Sequence, residues 1–176
     1  MKQTYAARRE NLRRAMRARG LDALLVSHAA NRYYLSGFEL HDPQCNESAG
    51  RLVITADGRD WLATDARYAD AAARLWDAES IFIYGGDGVE DLYALLRRCG
   101  GRVGLEASSV SLAFVRALSQ TGPGLCLEAA DGLVEDLRLI KDADEIAALE
   151  KSFALNHKML HWVAGELTPG RSESDL

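Results

Sequence analysis

The chain has 176 residues, 48% of them hydrophobic and 27% charged, with a formal net charge of −5. A domain near this size buries roughly 68–70% of its unfolded surface, so a real core is within reach, and the length suits one domain plus part of a second. The acidic balance argues against nucleic acid, which needs a basic face, and no apolar run approaches the roughly 20 residues of a membrane span. Cys45, Cys99 and Cys126 are odd in number and lack C-x-x-C spacing. They point to free thiols in a reducing compartment, the cytoplasm, rather than to disulfides or a zinc knuckle.

The first 19 residues are rich in arginine, with Glu10 as their one acid. Such a start occurs in transit peptides and membrane-surface helices. Here only Gly20 separates it from an apolar run at 21–27, so it reads as a solvated helix burying Tyr5, Leu12 and Met16. Residues 23–27 read as a buried strand. Tyr33, Tyr34, Leu35 and Phe38 read as a buried turn rather than an aromatic binding platform, because aromatics dominate ordinary cores. Asp57-Gly58 joins two strands, 51–55 and 60–64, as a hairpin. Thr64 or Asp65 then caps a helix reaching Trp76. Strand 80–84, helix 89–99, strand 103–106, a helix capped by Ser108 or Ser109, strand 125–128 and a helix capped by Asp131 complete the series. Alternating strands and helices predict an α/β fold, three layers α/β/α, and the hairpin makes the sheet mixed.

From Asp142 to Glu166 the pattern is one long amphipathic helix, stopped by Thr168-Pro169-Gly170. Ser172 and Asp175 then resemble the start of another helix. The expected organisation is a domain over 1–140 and the opening of a truncated second one over 141–176. The long helix carries Ile146, Leu149, Phe153, Leu160 and Val163 in one stripe, a face broad enough to predict a homodimer.

Three local patterns invite sharper readings. Gly86-Asp87-Gly88 sits between strand and helix as a dinucleotide loop would, but Asp91 stands at the third glycine place and its neighbours Asp87 and Glu90 repel pyrophosphate. His157 and His161 share a helix face one turn apart. Lys158 replaces the glutamate of H-E-x-x-H, and no third ligand is evident, so they read as surface histidines. No G-x-S-x-G occurs, and no cysteine has an activating setting. No catalytic residue and no metal ligand is assigned in the chain.

Arg138-Leu139-Ile140-Lys141-x-x-x-Glu145-Ile146, the long helix, and Pro169-Gly170-x-x-Glu173 resemble the entry into the catalytic domain of the creatinase, prolidase and aminopeptidase P family. Upstream, Gly20-Leu21-Asp22-Ala23-Leu24-Leu25-Val26, Asn31-Arg32-Tyr33-Tyr34-Leu35-Ser36-Gly37-Phe38 and Thr64-Asp65-x-Arg67-Tyr68 resemble that family's amino-terminal domain, in the same order. The resemblance implies a creatinase/prolidase-type N-terminal domain followed by the first helix of a pita-bread catalytic domain. It implies a parent Xaa-Pro aminopeptidase or dipeptidase acting on proline-containing peptides. Two divalent ions, manganese, cobalt or zinc, would be held in the missing catalytic domain and none in this fragment. A creatinase-like amidinohydrolase and a catalytically inactive binding module are the alternatives. The resemblance also draws attention to the polar loop after Gly37. In the family that loop projects toward a partner's active site, so Phe38 and His41 are the candidate substrate-access residues.

Overall fold

The computed structural model describes residues 2–39, 50–86 and 88–175. The chain divides into two compact units, residues 1–138 and 139–176.

The first unit is built on a six-stranded sheet in the order β4-β3-β2-β1-β5-β6. The strands are β1 (Ala23–Val26), β2 (Arg51–Thr55), β3 (Trp61–Asp65), β4 (Ile81–Tyr84), β5 (Arg102–Leu105) and β6 (Cys126–Ala129). The β1–β2 and β2–β3 pairs are antiparallel; β1–β5, β3–β4 and β5–β6 are parallel. The sheet is therefore mixed, as the hairpin requires. Every residue of the central strand β1 is buried, and its side chains alternate between two cores. Leu24 and Val26 pack with Leu52, Ile54 and Leu62 on one face. Ala23 and Leu25 pack with Val53, Ala63, Val103 and Leu105 on the other.

Helices cover both faces. On the first lie α1 (Lys2–Ala18), α2 (Ala29–Ser36), α3 (Ala69–Ala73) and α6 (Leu133–Leu139). On the second lie α4 (Val89–Cys99) and α5 (Leu112–Thr121). The three-layer α/β/α class expected from the sequence is the one observed.

Local assignments shift in four places. Residues 29–36 form α2 rather than a turn; Tyr34 and Leu35 are buried but Tyr33 is exposed. Asp65 caps a short 3₁₀ turn, Ala66–Tyr68, by accepting from Arg67 N–H, and α3 ends at Ala73, short of Trp76. Helix α5 is capped by Ser111, whose hydroxyl accepts from Phe114 N–H, not by Ser108 or Ser109. Asp131 does not cap α6. Its carboxylate accepts from the N–H groups of Ala107 and Ser108, tying the residues after β5 to those after β6, while Glu135 reaches back to Gly132 N–H.

Helix α1 is less solvated than its arginine content suggests. Leu12 and Met16 are buried, and Tyr5 is half-buried. Arg9 and Arg13 both pair with Asp60, which lies between β2 and β3. Burial pushes the Asp60 carboxyl above its usual value, though both arginines pull it back.

The β2–β3 connection gives a pH-dependent prediction. Asp57 accepts from Thr55 Oγ1 at 2.7 Å and from the Arg59 guanidinium at 2.6 and 2.8 Å. The Arg59 and Thr55 hydrogen bonds hold its carboxyl at about 2, below the usual 3.8. A depressed folded value means the contribution is complete above the ordinary value and is lost as pH falls through the folded one. Asp57→Asn should therefore show a flatter loss of thermal stability than the native chain between about pH 4 and pH 2. The effect is a small one, because the pair is exposed to solvent.

The second unit contains α7 (Ala143–Glu166) and a 3₁₀ turn, Glu173–Asp175. Helix α7 starts on a complete capping box: Asp142 accepts from Glu145 N–H at 2.9 Å, and Glu145 accepts from Asp142 N–H at 3.0 Å. That reciprocal pair satisfies two donors which would otherwise lack partners. None of the residues of α7 is buried; Phe153 and Leu160 are 67% and 66% exposed.

Candidate functional site

The end of α2 determines how the loop after Gly37 leaves the domain. Gly37 has φ 74°, a left-handed conformation that L side chains avoid, and its N–H donates to Tyr33 O at 2.7 Å. A side chain there would also lie 2.9 Å from the Tyr5 ring. The α2 carbonyls just before this point are occupied from outside the helix. Arg8 donates to Tyr34 O at 3.0 Å and Arg9 to Leu35 O at 2.8 Å. Their guanidinium carbons also lie over rings, Arg8 4.2 Å from the Tyr34 centroid and Arg9 5.1 Å from that of Trp76. Two cations of α1 thus complement the negative end of α2.

Arg32 holds the two ends of the loop together. It is fully buried and donates to Gly50 O at 2.6 Å, where the chain re-enters β2. Its guanidinium carbon lies 5.7 Å from the centroid of Phe38, where the chain leaves. Ser36 completes the exit: its hydroxyl donates to Arg32 O at 2.6 Å and accepts from Phe38 N–H at 3.0 Å. At Gly50 a Cβ would meet Ala63 O at 2.9 Å, so the re-entry also fits only glycine without movement. Phe38 is 1% exposed and belongs to the first core. Of the two residues singled out from the sequence, Phe38 is an anchor at the base of the loop. His41 lies outside the described residues.

A second constellation sits at the carboxyl ends of β1 and β5. Glu106 is 2% exposed. Its Oε2 accepts from the N–H groups of Ser27 and His28, both at 2.6 Å, and its Oε1 from Asn31 Nδ2 at 2.7 Å. His28 is the N-cap of α2 and supplies no side-chain cap of its own, so Glu106, the first residue after β5, serves that end of the helix. Asn31 also donates to Glu135 at 2.6 Å and accepts from Arg138 at 2.7 Å. Burial pushes Glu106 above the usual carboxylate value, against the pull of its three donors. Glu135 is pushed up by burial too, but hydrogen bonds from Asn31 and neighbouring backbone N–H groups outweigh this and leave it lowered. Nothing in the sequence spacing reveals this network, because Glu106 lies 75 or more positions from Ser27, His28 and Asn31. The only signal was a charged residue closing an apolar strand.

Two concavities flank these groups. A polar cleft of about 210 Å³ is lined by Tyr5, Arg9, Ser36, Asp60 and Trp76. An apolar groove of about 340 Å³ runs beside the edge strand β6, lined by Leu105, Val110, Leu112 and Leu127. Among the described residues no group of three or more His, Cys, Asp or Glu side chains could hold a metal ion. The described side chains therefore do not fit a two-metal centre. Gly88 is the N-cap of α4, with Glu90 and Asp91 in the first turn, the acidic helix start read from the sequence. Cys99 and Cys126 are free thiols. Burial pushes Cys99 up to about 11, so it is not an activated nucleophile. No helix among the described residues is long and apolar enough to cross a membrane.

Comparison with known proteins assigns this architecture. The family model of the Creatinase/Prolidase N-terminal domain matches residues 8–140. An uncharacterised peptidase of Bacillus subtilis, YqhT, is 28% identical over 165 residues, covering 93% of this chain and 44% of that protein. The solved N-terminal domain of the cytoplasmic peptidase PepQ from Mycobacterium tuberculosis is 34% identical, with a TM-score of 0.63 over 74% of this chain and 98% of its own. An Xaa-Pro dipeptidase from Bacillus anthracis has the same fold, with a TM-score of 0.84 at 24% identity, covering 97% of this chain and 46% of its own. The chain spans less than half the length of the curated relatives it matches. A hydrophobic sheet with helices on both faces, a loop clamped by a buried arginine and a family model spanning most of the first unit lead to one statement: the chain belongs to the creatinase/prolidase N-terminal domain family.

Proposed function

We propose that this chain is the non-catalytic N-terminal part of a cytoplasmic Xaa-Pro aminopeptidase or dipeptidase, where it shapes access to the substrate pocket and contributes contacts between subunits. The observation that carries the reading is the family match over residues 8–140, in a chain that spans less than half of its peptidase relatives. Helix α7, with its capping box and exposed apolar stripe, would open the catalytic domain. Two divalent ions, manganese, cobalt or zinc, would be bound by residues of that further domain, and no step of the chemistry is assigned to the side chains described above.

The residues of this chain act on geometry. Arg32, Ser36 and Gly37 fix the chain at the exit from α2 and at Gly50, where it returns to β2. Loops held on rigid scaffolds carry function disproportionately. His41 on that loop would face the substrate in a homodimer, while Phe38 anchors the base.

The test uses the longer protein that contains this chain. It should hydrolyse a peptide with proline in second place, with added manganese raising the rate, while residues 1–176 alone show no turnover. In the longer protein, His41→Ala should lower kcat/KM about tenfold, or roughly 1.4 kcal/mol of transition-state stabilisation. No hydrolysis of any Xaa-Pro peptide would overturn the peptidase reading. Unchanged kcat and KM in His41→Ala would overturn the access role alone.

A further inference from the structure

Helix α7 brings His157 and His161 into direct contact. Their Nε2 atoms are 3.1 Å apart. Their ring centroids are 4.2 Å apart, with the planes at 88°. Both side chains are exposed, so nothing need be displaced to reach them. The 24-residue helix fixes the separation of their backbones, since residues four apart stand one above the other on one face.

The nitrogen spacing is the informative quantity. Imidazole nitrogens bind zinc at about 2.0–2.1 Å. Two such ligands at 90–109° about one ion lie about 2.9–3.4 Å apart, by simple trigonometry on those bond lengths. The observed 3.1 Å falls inside that interval. In the metal-free pair the same spacing is that of a ring N–H···N hydrogen bond.

We infer that His157 and His161 form a bidentate site for a single divalent transition-metal ion of the zinc, copper or nickel class, for which imidazole is a suitable ligand. This does not depend on the peptidase reading. The ion lies off the line joining the two nitrogens, and water fills its other positions, since no third protein ligand lies with the pair among the described residues. This open coordination separates the site from a closed structural zinc centre, which takes four protein ligands. In the metal-free pair one Nε2 donates a hydrogen to the other. On binding, the donor ring moves that hydrogen to its own Nδ1 through solvent. Both Nε2 lone pairs then face the ion, and no proton is lost overall.

The experiment is a zinc sulfate titration of the 176-residue chain, followed by calorimetry and by the imidazole signals in NMR. One ion per chain is expected, with the His157 and His161 signals shifting together and those of His28 and His41 acting as internal references. His157→Ala and His161→Ala should each weaken binding at least tenfold, because a single imidazole has lost the chelate. Alanine is the stronger helix former, so both variants should retain the helical circular dichroism. Equal affinity in either single variant, or a titration that leaves the two ring signals in place, would overturn the site.

Discussion

Glu106→Ala is expected to cost about 4 kcal/mol, a large share of the about 5–15 kcal/mol by which such domains are stable. The substitution strips the acceptor from Ser27 N–H, His28 N–H and Asn31 Nδ2 at once. Each buried donor left without a partner costs about 1–3 kcal/mol. Asn31 is itself fully buried and holds Glu135 and Arg138, so the damage extends to α6. Urea denaturation reads the loss as a lower midpoint. Glu106→Gln keeps the shape and one acceptor, and should cost less than half as much. The glutamine variant also isolates a pH effect. Burial raises the Glu106 value above 4.5. The folded chain therefore binds more protons than the unfolded chain between the ordinary and the raised value, and stability falls as pH rises through that window. The difference in stability between native and Glu106→Gln chains should shift in that sense; a pH-independent difference would refute the assignment.

Arg32→Ala should produce the second large effect, again about 4 kcal/mol. A hydrogen bond from a charged donor contributes about 1.5–3 kcal/mol, and an emptied, fully buried site adds a cavity term. Arg32→Met separates the two, since it keeps much of the volume but leaves Gly50 O without this donor. It should lose only the hydrogen-bond part. Both variants should speed amide exchange at Phe38, whose ring lies 5.7 Å from the guanidinium carbon of Arg32, the same group that holds Gly50 O. Unchanged exchange at Phe38 would show that the two ends of the loop are held independently.

The sheet was legible in the sequence because its strands announce themselves locally. Asp57-Gly58 marks the β2–β3 hairpin, and the apolar run at 23–26 marks a strand covered on both faces. The apolar period likewise marked α7 from Asp142; the capping box of Asp142 and Glu145 that starts it was not read, though its residues stand three apart. What was not legible is whatever depends on partners distant along the chain. Ser108 and Asp131 both look like helix caps in isolation, yet they bond to each other across 23 positions. The burial of Arg32 depends on Gly50, 18 positions away, whose carbonyl accepts from it. The burial of Phe38 agrees with its reading as part of a buried aromatic segment. The histidine pair was visible as a spacing, but the closeness of its nitrogens depends on ring orientation.

The position of β1 in the sheet bears on how the chain assembles. Its antiparallel neighbour, β2, and the next strand, β3, are complete by residue 65, so a three-stranded unit can form while the remainder is still being synthesised. The other flank of β1 stays open until β5 arrives with residues 102–105. Closing a loop of that length has an entropic cost that precedes any gain from pairing, and such long-range parallel pairing is intrinsically slow. Until then the apolar edge of β1 has no strand to pair with on that side. Glu106, the first residue after β5, is placed to latch onto Ser27 and His28 as soon as that edge is covered.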